Sequence, residues 1–158
     1  MDGPLRRAAM LMRRWLSSSA VLLGVLLAAP AVAAAEPGLS VSDAWMRVVL
    51  PSRPAAGYFI LSNTSAKDRT LVGAETPACG ELMLHRSVHE GGQDRMEMVS
   101  RVPIPAHGTV KFAPGGNHLM CQSPTADIAP GHAITVTLRF ADGGTLDAVF
   151  AVRGATAR

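Results

Sequence analysis

Ala133-Ile-Thr-Val-Thr-Leu-Arg-Phe140, then Asp142-Gly-Gly144, then Thr145-Leu-Asp-Ala-Val-Phe-Ala-Val152 is the stretch whose reading decides the fold. In the first run Ile134, Val136, Leu138 and Phe140 alternate with Ala133, Thr135, Thr137 and Arg139. A period of two sends successive side chains to opposite faces of a strand, so this run has one apolar face and one polar face. Asp142-Gly-Gly is a hairpin signal, and residues 145–152 therefore pair back.

Working outward, the same grammar of short strands and turn residues repeats. Leu39 to Val49 reads as one or two strands, followed by a loop at Pro51-Ser-Arg-Pro54. Ala56 to Ser62 and Arg69 to Ala74 read as strands, separated by a turn at Asn63-Thr-Ser. Gly80 to His89 is a strand, Glu90-Gly-Gly-Gln-Asp94 a hairpin turn, and Arg95 to Val99 the returning arm. Pro103 to Gly108 is a loop, Thr109 to Phe112 a short strand, and Pro114-Gly-Gly116 turns the chain into Asn117 to Cys121. Pro124 to Gly131 is a further loop. No stretch shows a sustained helical period, and strands at this spacing argue for an all-β sandwich.

The first 35 residues read differently. Arg6, Arg7, Arg13 and Arg14 precede an apolar run from Ala20 to Ala29 and a small-residue segment ending at Ala35. That is the order of a cleavable export signal, with cleavage after Ala35 or two residues earlier. The run is shorter than the roughly 20 residues a spanning helix needs, so no membrane anchor is expected. The chain then divides into a signal peptide, 1–35, and one β-sandwich domain, 36–158. The signal holds four of the 15 Lys and Arg and one of the 12 Asp and Glu, which leaves eleven of each and no net charge. Nothing in that balance asks for nucleic acid or an anionic membrane as partner. The expected location is the periplasm.

Chemistry concentrates between His85 and Met120. Taken from Met83, this stretch holds four of the five His (His85, His89, His107, His118) and four of the eight Met (Met83, Met96, Met98, Met120). Imidazole and thioether together suit Cu(I). Alternation puts His118 and Met120 on one face of their strand and Leu119 and Cys121 on the other. Met83 and His85 share a face, as do Met96 and Met98. A wide hairpin loop would bring His85 near Met96. The candidate ligands are therefore His85, Met96, His118 and Met120, with Met83 and Met98 packed in the core or behind the ligands. His89 sits at the turn, and His107 and His132 lie in loops away from the cluster. An exported location permits a bond between the two cysteines, Cys79 and Cys121. With His85 opposite His118 in antiparallel strands, however, the cysteines fall three positions out of register; a bulge at Gly80 would correct this, while alternation weighs the other way.

The spacing His85, ten residues, Met96, twenty-one residues, His118-x-Met120 resembles that of the periplasmic PCu(A)C copper(I) chaperones. Asp43-Ala-Trp-Met-Arg47, Ala56-Gly-Tyr58 with Asn63, Ile104-Pro-Ala-His-Gly-Thr-Val110 and Pro114-Gly-Gly-Asn-His-Leu-Met120 carry the likeness along the domain. It implies a cupredoxin-like, Ig-like Greek-key β-sandwich. It further implies one Cu(I) per domain, held by two His and two Met; the domain itself is expected to be a monomer. The ion would be passed to a copper-accepting protein, a cytochrome oxidase subunit or assembly factor. Arg86 follows His85 where some members carry Met, and the tail Val152–Arg158 lacks a His- and Met-rich extension.

Two other functions compete. A blue-copper electron carrier would need a Cys thiolate beside two His and a Met, and Cys121 is near in sequence but aimed to the other face. A metal-free Ig-like interaction module would need none of these residues. No nucleophile elbow, His-Glu-x-x-His or phosphate loop is present, so no enzyme is expected.

Overall fold

Ten strands form among the described residues, which run from 37 to 156 in this computed structural model. They are β1 (Leu39–Arg47), β2 (Ala55–Asn63), β3 (Arg69–Glu75), β4 (Cys79–Glu90) and β5 (Gln93–Met98), then β6 (Val102–Ile104), β7 (Thr109–Phe112), β8 (Asn117–Pro124), β9 (Ala133–Phe140) and β10 (Thr145–Arg153). The expected signal peptide, 1–35, lies outside the described residues.

The strand order is β5-β4-β8-β7-β2-β1-β10-β9-β3-β6. β1–β10 and β7–β8 are parallel, and the other neighbours are antiparallel. β2 is shared: its first residues pair with β8 and its later ones with β7. The order wraps so that β3 lies against β4 and β2 against β6, which gives two layers with the core between them. The result is the all-β, cupredoxin-like β-sandwich expected from the sequence.

The alternation at the end of the chain is realised along the whole hairpin. Ile134, Val136, Leu138 and Phe140 on β9 are buried, and so are Ala148, Phe150 and Val152 on β10. Phe150 meets Phe59 edge-on at 5.5 Å between ring centres, and Phe59 stacks on Phe112 at 4.2 Å. Such pairs add about 0.5–1.5 kcal/mol each beyond the apolar area they bury. Buried Asn63 fastens the turn after β2: its amide nitrogen donates to the carbonyls of Lys67 (2.7 Å) and Pro105 (3.0 Å), and its oxygen accepts from Ser65.

Four details differ from the sequence reading. Leu39 to Arg47 is one strand carrying a bulge between Ser42 and Trp45, where Asp43 has φ +50°. Residues 102–104, of which Pro103 and Ile104 are expected in a loop, form β6, an edge strand beside β3. Its Pro103 can donate no hydrogen bond, which an edge tolerates. The hairpin at Gly91-Gly92 is tight, with Glu90 paired to Gln93. Both glycines have positive φ, 61° and 78°, the geometry of a two-residue turn that matches the twist of its strands. Finally, Met98 is 71% exposed and belongs to no core.

Candidate metal centre

β4 and β8 pair in a single register from Glu81–Gln122 to Arg86–Asn117, and this sets His85 directly opposite His118 and Met83 opposite Met120. Leu82, Leu84, Leu119 and Cys121 face the core. Met83 and His85 of β4 and His118 and Met120 of β8 share the other face. β5 adds to the same outer face, with Met98 opposite His85 and Met96 opposite Ser87. The tight hairpin thus brings Met98 beside His85. Met96 stands one same-face step further along β5, about 7 Å by strand rise. Met96 is 62% exposed, Met120 and His85 are half-buried, and His118 is 3% exposed.

The two imidazoles are 5.8 Å apart between ring centres and roughly perpendicular. His118 Nδ1 lies 3.0 Å from the Gly116 carbonyl. A carbonyl only accepts, so Nδ1 carries the proton and Nε2 keeps its lone pair. Gly116 is itself held by the Ser87 N–H, which donates to the same carbonyl at 3.1 Å. His118 Nε2 and His85 Nδ1 are both enclosed and have no hydrogen-bond partner. Leaving a buried polar atom unpaired costs about 1–3 kcal/mol, so two on adjacent strands call for a ligand. Burial, followed by the charge of neighbouring His118, holds the His85 pKa below its ordinary value. Both effects keep His85 neutral, the form that coordinates a metal. Among the described residues no three of His, Cys, Asp and Glu gather at one point. The soft donors that stand beside the histidine pair on this face are the thioethers of Met83, Met98 and Met120, with Met96 one step away.

Aromatic residues wall the site on its β2 side. Tyr58 lies 6.4 Å from His118 and 4.8 Å from Trp45, ring centre to ring centre. Arg47 Nη2 donates to the Tyr58 hydroxyl at 3.0 Å, and the Arg153 guanidinium covers Trp45 at 5.2 Å. Burial raises the Tyr58 pKa, only partly offset by Arg47, so the phenol stays protonated. Gly57 lets β2 approach β8 here: a Cβ would come within 3.1 Å of Leu119 Cβ. Sequence reasoning gave these residues no place at the site. Their one signal was that Asp43-Ala-Trp-Met-Arg47 and Ala56-Gly-Tyr58 belong to the stretches that carry the resemblance.

The remaining histidines stand apart. His89 is exposed at the hairpin and pairs with Asp94 at 2.7 Å. His107 and His132 are exposed in loops. Cys79 and Cys121 form a disulfide with a Cα–Cα distance of 5.5 Å. The β4–β8 register does not shift here, for Cys79 stands opposite Pro124 as Glu81 does opposite Gln122, so no bulge at Gly80 realigns the cysteines; Ser123 takes φ +49°, and Cys79 reaches diagonally to Cys121. Neither cysteine is free. The blue-copper arrangement therefore has no thiolate to use, and its cysteine is on the core side.

Comparison with known proteins agrees with this geometry. The model of the LpqE-like family, described for lipoproteins, matches residues 39–152. Lxx21020 of Leifsonia xyli subsp. xyli (strain CTCB07), which carries a lipoprotein description, is 38% identical over 109 residues. The match takes in 68% of this chain and 65% of that protein, so the chain spans just under two thirds of that relative's length. The Cu(I) solution structure of DR1885 from Deinococcus radiodurans is 34% identical with a TM-score of 0.61, over 77% of this chain and 82% of that one. The copper-bound PCuAC domain from PmoF2 has a TM-score of 0.61 at 20% identity, over 74% of this chain and 93% of that one, a likeness of fold alone. With 114 consecutive residues under the family model and the PCuAC fold around its histidine pair, the chain belongs to the LpqE-like family of PCuAC-type proteins.

Proposed function

We propose that the protein is an exported copper carrier. It binds one Cu(I) through His85, Met96, His118 and Met120 and delivers it to a copper-accepting protein, with the copper centres of cytochrome oxidase as the destination. The observation that carries this reading is the pair of enclosed, partnerless nitrogens, His85 Nδ1 and His118 Nε2, on neighbouring strands with thioethers on the same face. Two imidazoles supply donor strength, and thioethers favour the reduced ion. Met96 has three rotatable side-chain bonds, and with them it closes the centre from its exposed position on β5. The Cu(I) form of DR1885 and the lipoprotein description of the Leifsonia relative support cargo and export respectively. The role is that of a carrier, which needs only a site that holds and releases the ion.

A Cu(I) competition titration tests the reading. We expect one equivalent bound, and weakened binding in Met96→Leu, Met120→Leu and His118→Ala. Leu for Met nearly conserves volume and should cost under about 1.5 kcal/mol of stability. Wild-type protein that took up no Cu(I) would leave the metal-free interaction module as the better reading.

A further inference from the structure

Met98 is a large apolar side chain, 71% exposed and set directly opposite a half-buried histidine. Packing does not account for it, because all six residues of β5 are exposed. Its position in the sheet is more telling. His118 on β8, His85 on β4 and Met98 on β5 stand opposite one another in turn and form one row across three strands. Adjacent strands are about 4.8 Å apart. Along the row, exposure rises from 3% at His118, through half-buried His85, to 71% at Met98. β5 ends the strand order, so the row runs from an enclosed nitrogen to an open edge.

Cu(I) moves between donor sets by ligand substitution, and each departure is eased by a donor already within reach. Thioethers suit this exchange because they bind the reduced ion and carry no proton to lose. We propose that Met98 is the transfer ligand of the centre: it draws Cu(I) outward from the histidine pair and presents it at the edge of β5 to an incoming soft-donor site. This rests on the copper reading above. In the step the Cu–N bond to His118 breaks and a Cu–S bond to Met98 forms. The ion remains Cu(I), no proton or electron moves, and the acceptor's donors then displace those that are left. Met83 does not share the role. It faces Met120 and is half-buried one strand further from the edge.

Two measurements on the full chain test the proposal: the equilibrium Cu(I) affinity, and the stopped-flow rate at which loaded protein gives Cu(I) to excess bathocuproine disulfonate. Wild type is measured first. Failure to bind Cu(I) would remove the copper reading and this proposal with it. Given binding, Met98→Leu should keep its affinity within about threefold while slowing transfer about tenfold, a separation of rate from equilibrium. Met83→Leu should leave the rate unchanged. A Met98→Leu transfer rate equal to wild type overturns the proposal. So does an affinity as low as that of Met96→Leu, which would make Met98 a resident ligand. Equal slowing in Met83→Leu also overturns it, because the effect would then belong to thioether loss in general.

Discussion

Among the described residues two long hairpins are closed by glycine pairs, and they spend their apolar residues in opposite ways. In β9–β10 every second side chain enters the core, and the outward positions are mostly polar or small. In β4–β5 only Leu82 and Leu84 enter it, both from β4. β5 contributes nothing to the interior, yet it carries Met96 and Met98 in solvent. Val149 on β10 is an isolated exposed apolar side chain, whereas β5 sets two thioethers side by side on a strand that packs nothing. The lesson is that a methionine on a strand is informative when the strand has no core to serve.

The largest expected effect comes from crossing that line on the packed side. Phe150→Ala should destabilise the fold by about 3–5 kcal/mol, through lost burial and the cavity left beside Phe59. Met96→Ala on β5 should change stability by less than about 0.5 kcal/mol. Urea unfolding of both variants makes the comparison, which breaks if the two costs are alike.

The disulfide comes next. It ties the base of β4 to β8 and closes a loop with a sequence separation of 42. Replacing both cysteines with Ala should cost about 2–4 kcal/mol by loosening the unfolded chain. It should also weaken Cu(I) binding, because β4 and β8 carry both histidines, whereas the β9–β10 pairing should stay protected in amide hydrogen exchange. Equal loss of protection in both hairpins would show that they do not behave as separate units.

The smallest effect is on pH. The His85 pKa is lowered in the folded state, so below about pH 6.5 the unfolded chain takes up more protons than the native one. Stability from this group is therefore complete above that value and is lost as pH falls through the lowered native one. Unfolding midpoints of apo protein at pH 7.5 and 5.0 should differ less in His85→Gln than in wild type. Cu(I) affinity should be nearly flat above neutral pH and weaken below about pH 6, since only the imidazoles exchange a proton for the metal.

Legibility followed the same divide. The β9–β10 hairpin could be read almost to the residue because burial on one face enforces strict alternation. The β4–β8 register was also legible once His85 was set against His118, for a one-residue slip would have turned Leu82 and Leu84 outward. The hairpin at Gly91-Gly92 was read too wide. Its flanks, Glu90 and Gln93-Asp94, have polar side chains that fit a turn or an exposed strand equally well, and the place of Met98, in the core or behind the ligands by the sequence, is neither. β6 escaped because three residues around a proline make no pattern. The disulfide was left open because alternation describes ideal strands, and the left-handed backbone at Ser123 is a departure that the sequence does not announce.

The parallel pairing of β1 with β10 has a consequence for the order of events in the life of the chain. Trp45, Met46 and Arg47 find their partners at Ala151, Val152 and Arg153, at the far end of the sequence. Contacts of such separation are slow to form and unavailable to a growing chain until its last strand has been made. The hairpins can form early, but the sandwich cannot close around Met46 before then. A polypeptide of this topology therefore completes its sandwich only when the whole domain is available at once, whatever the order in which its hairpins appear.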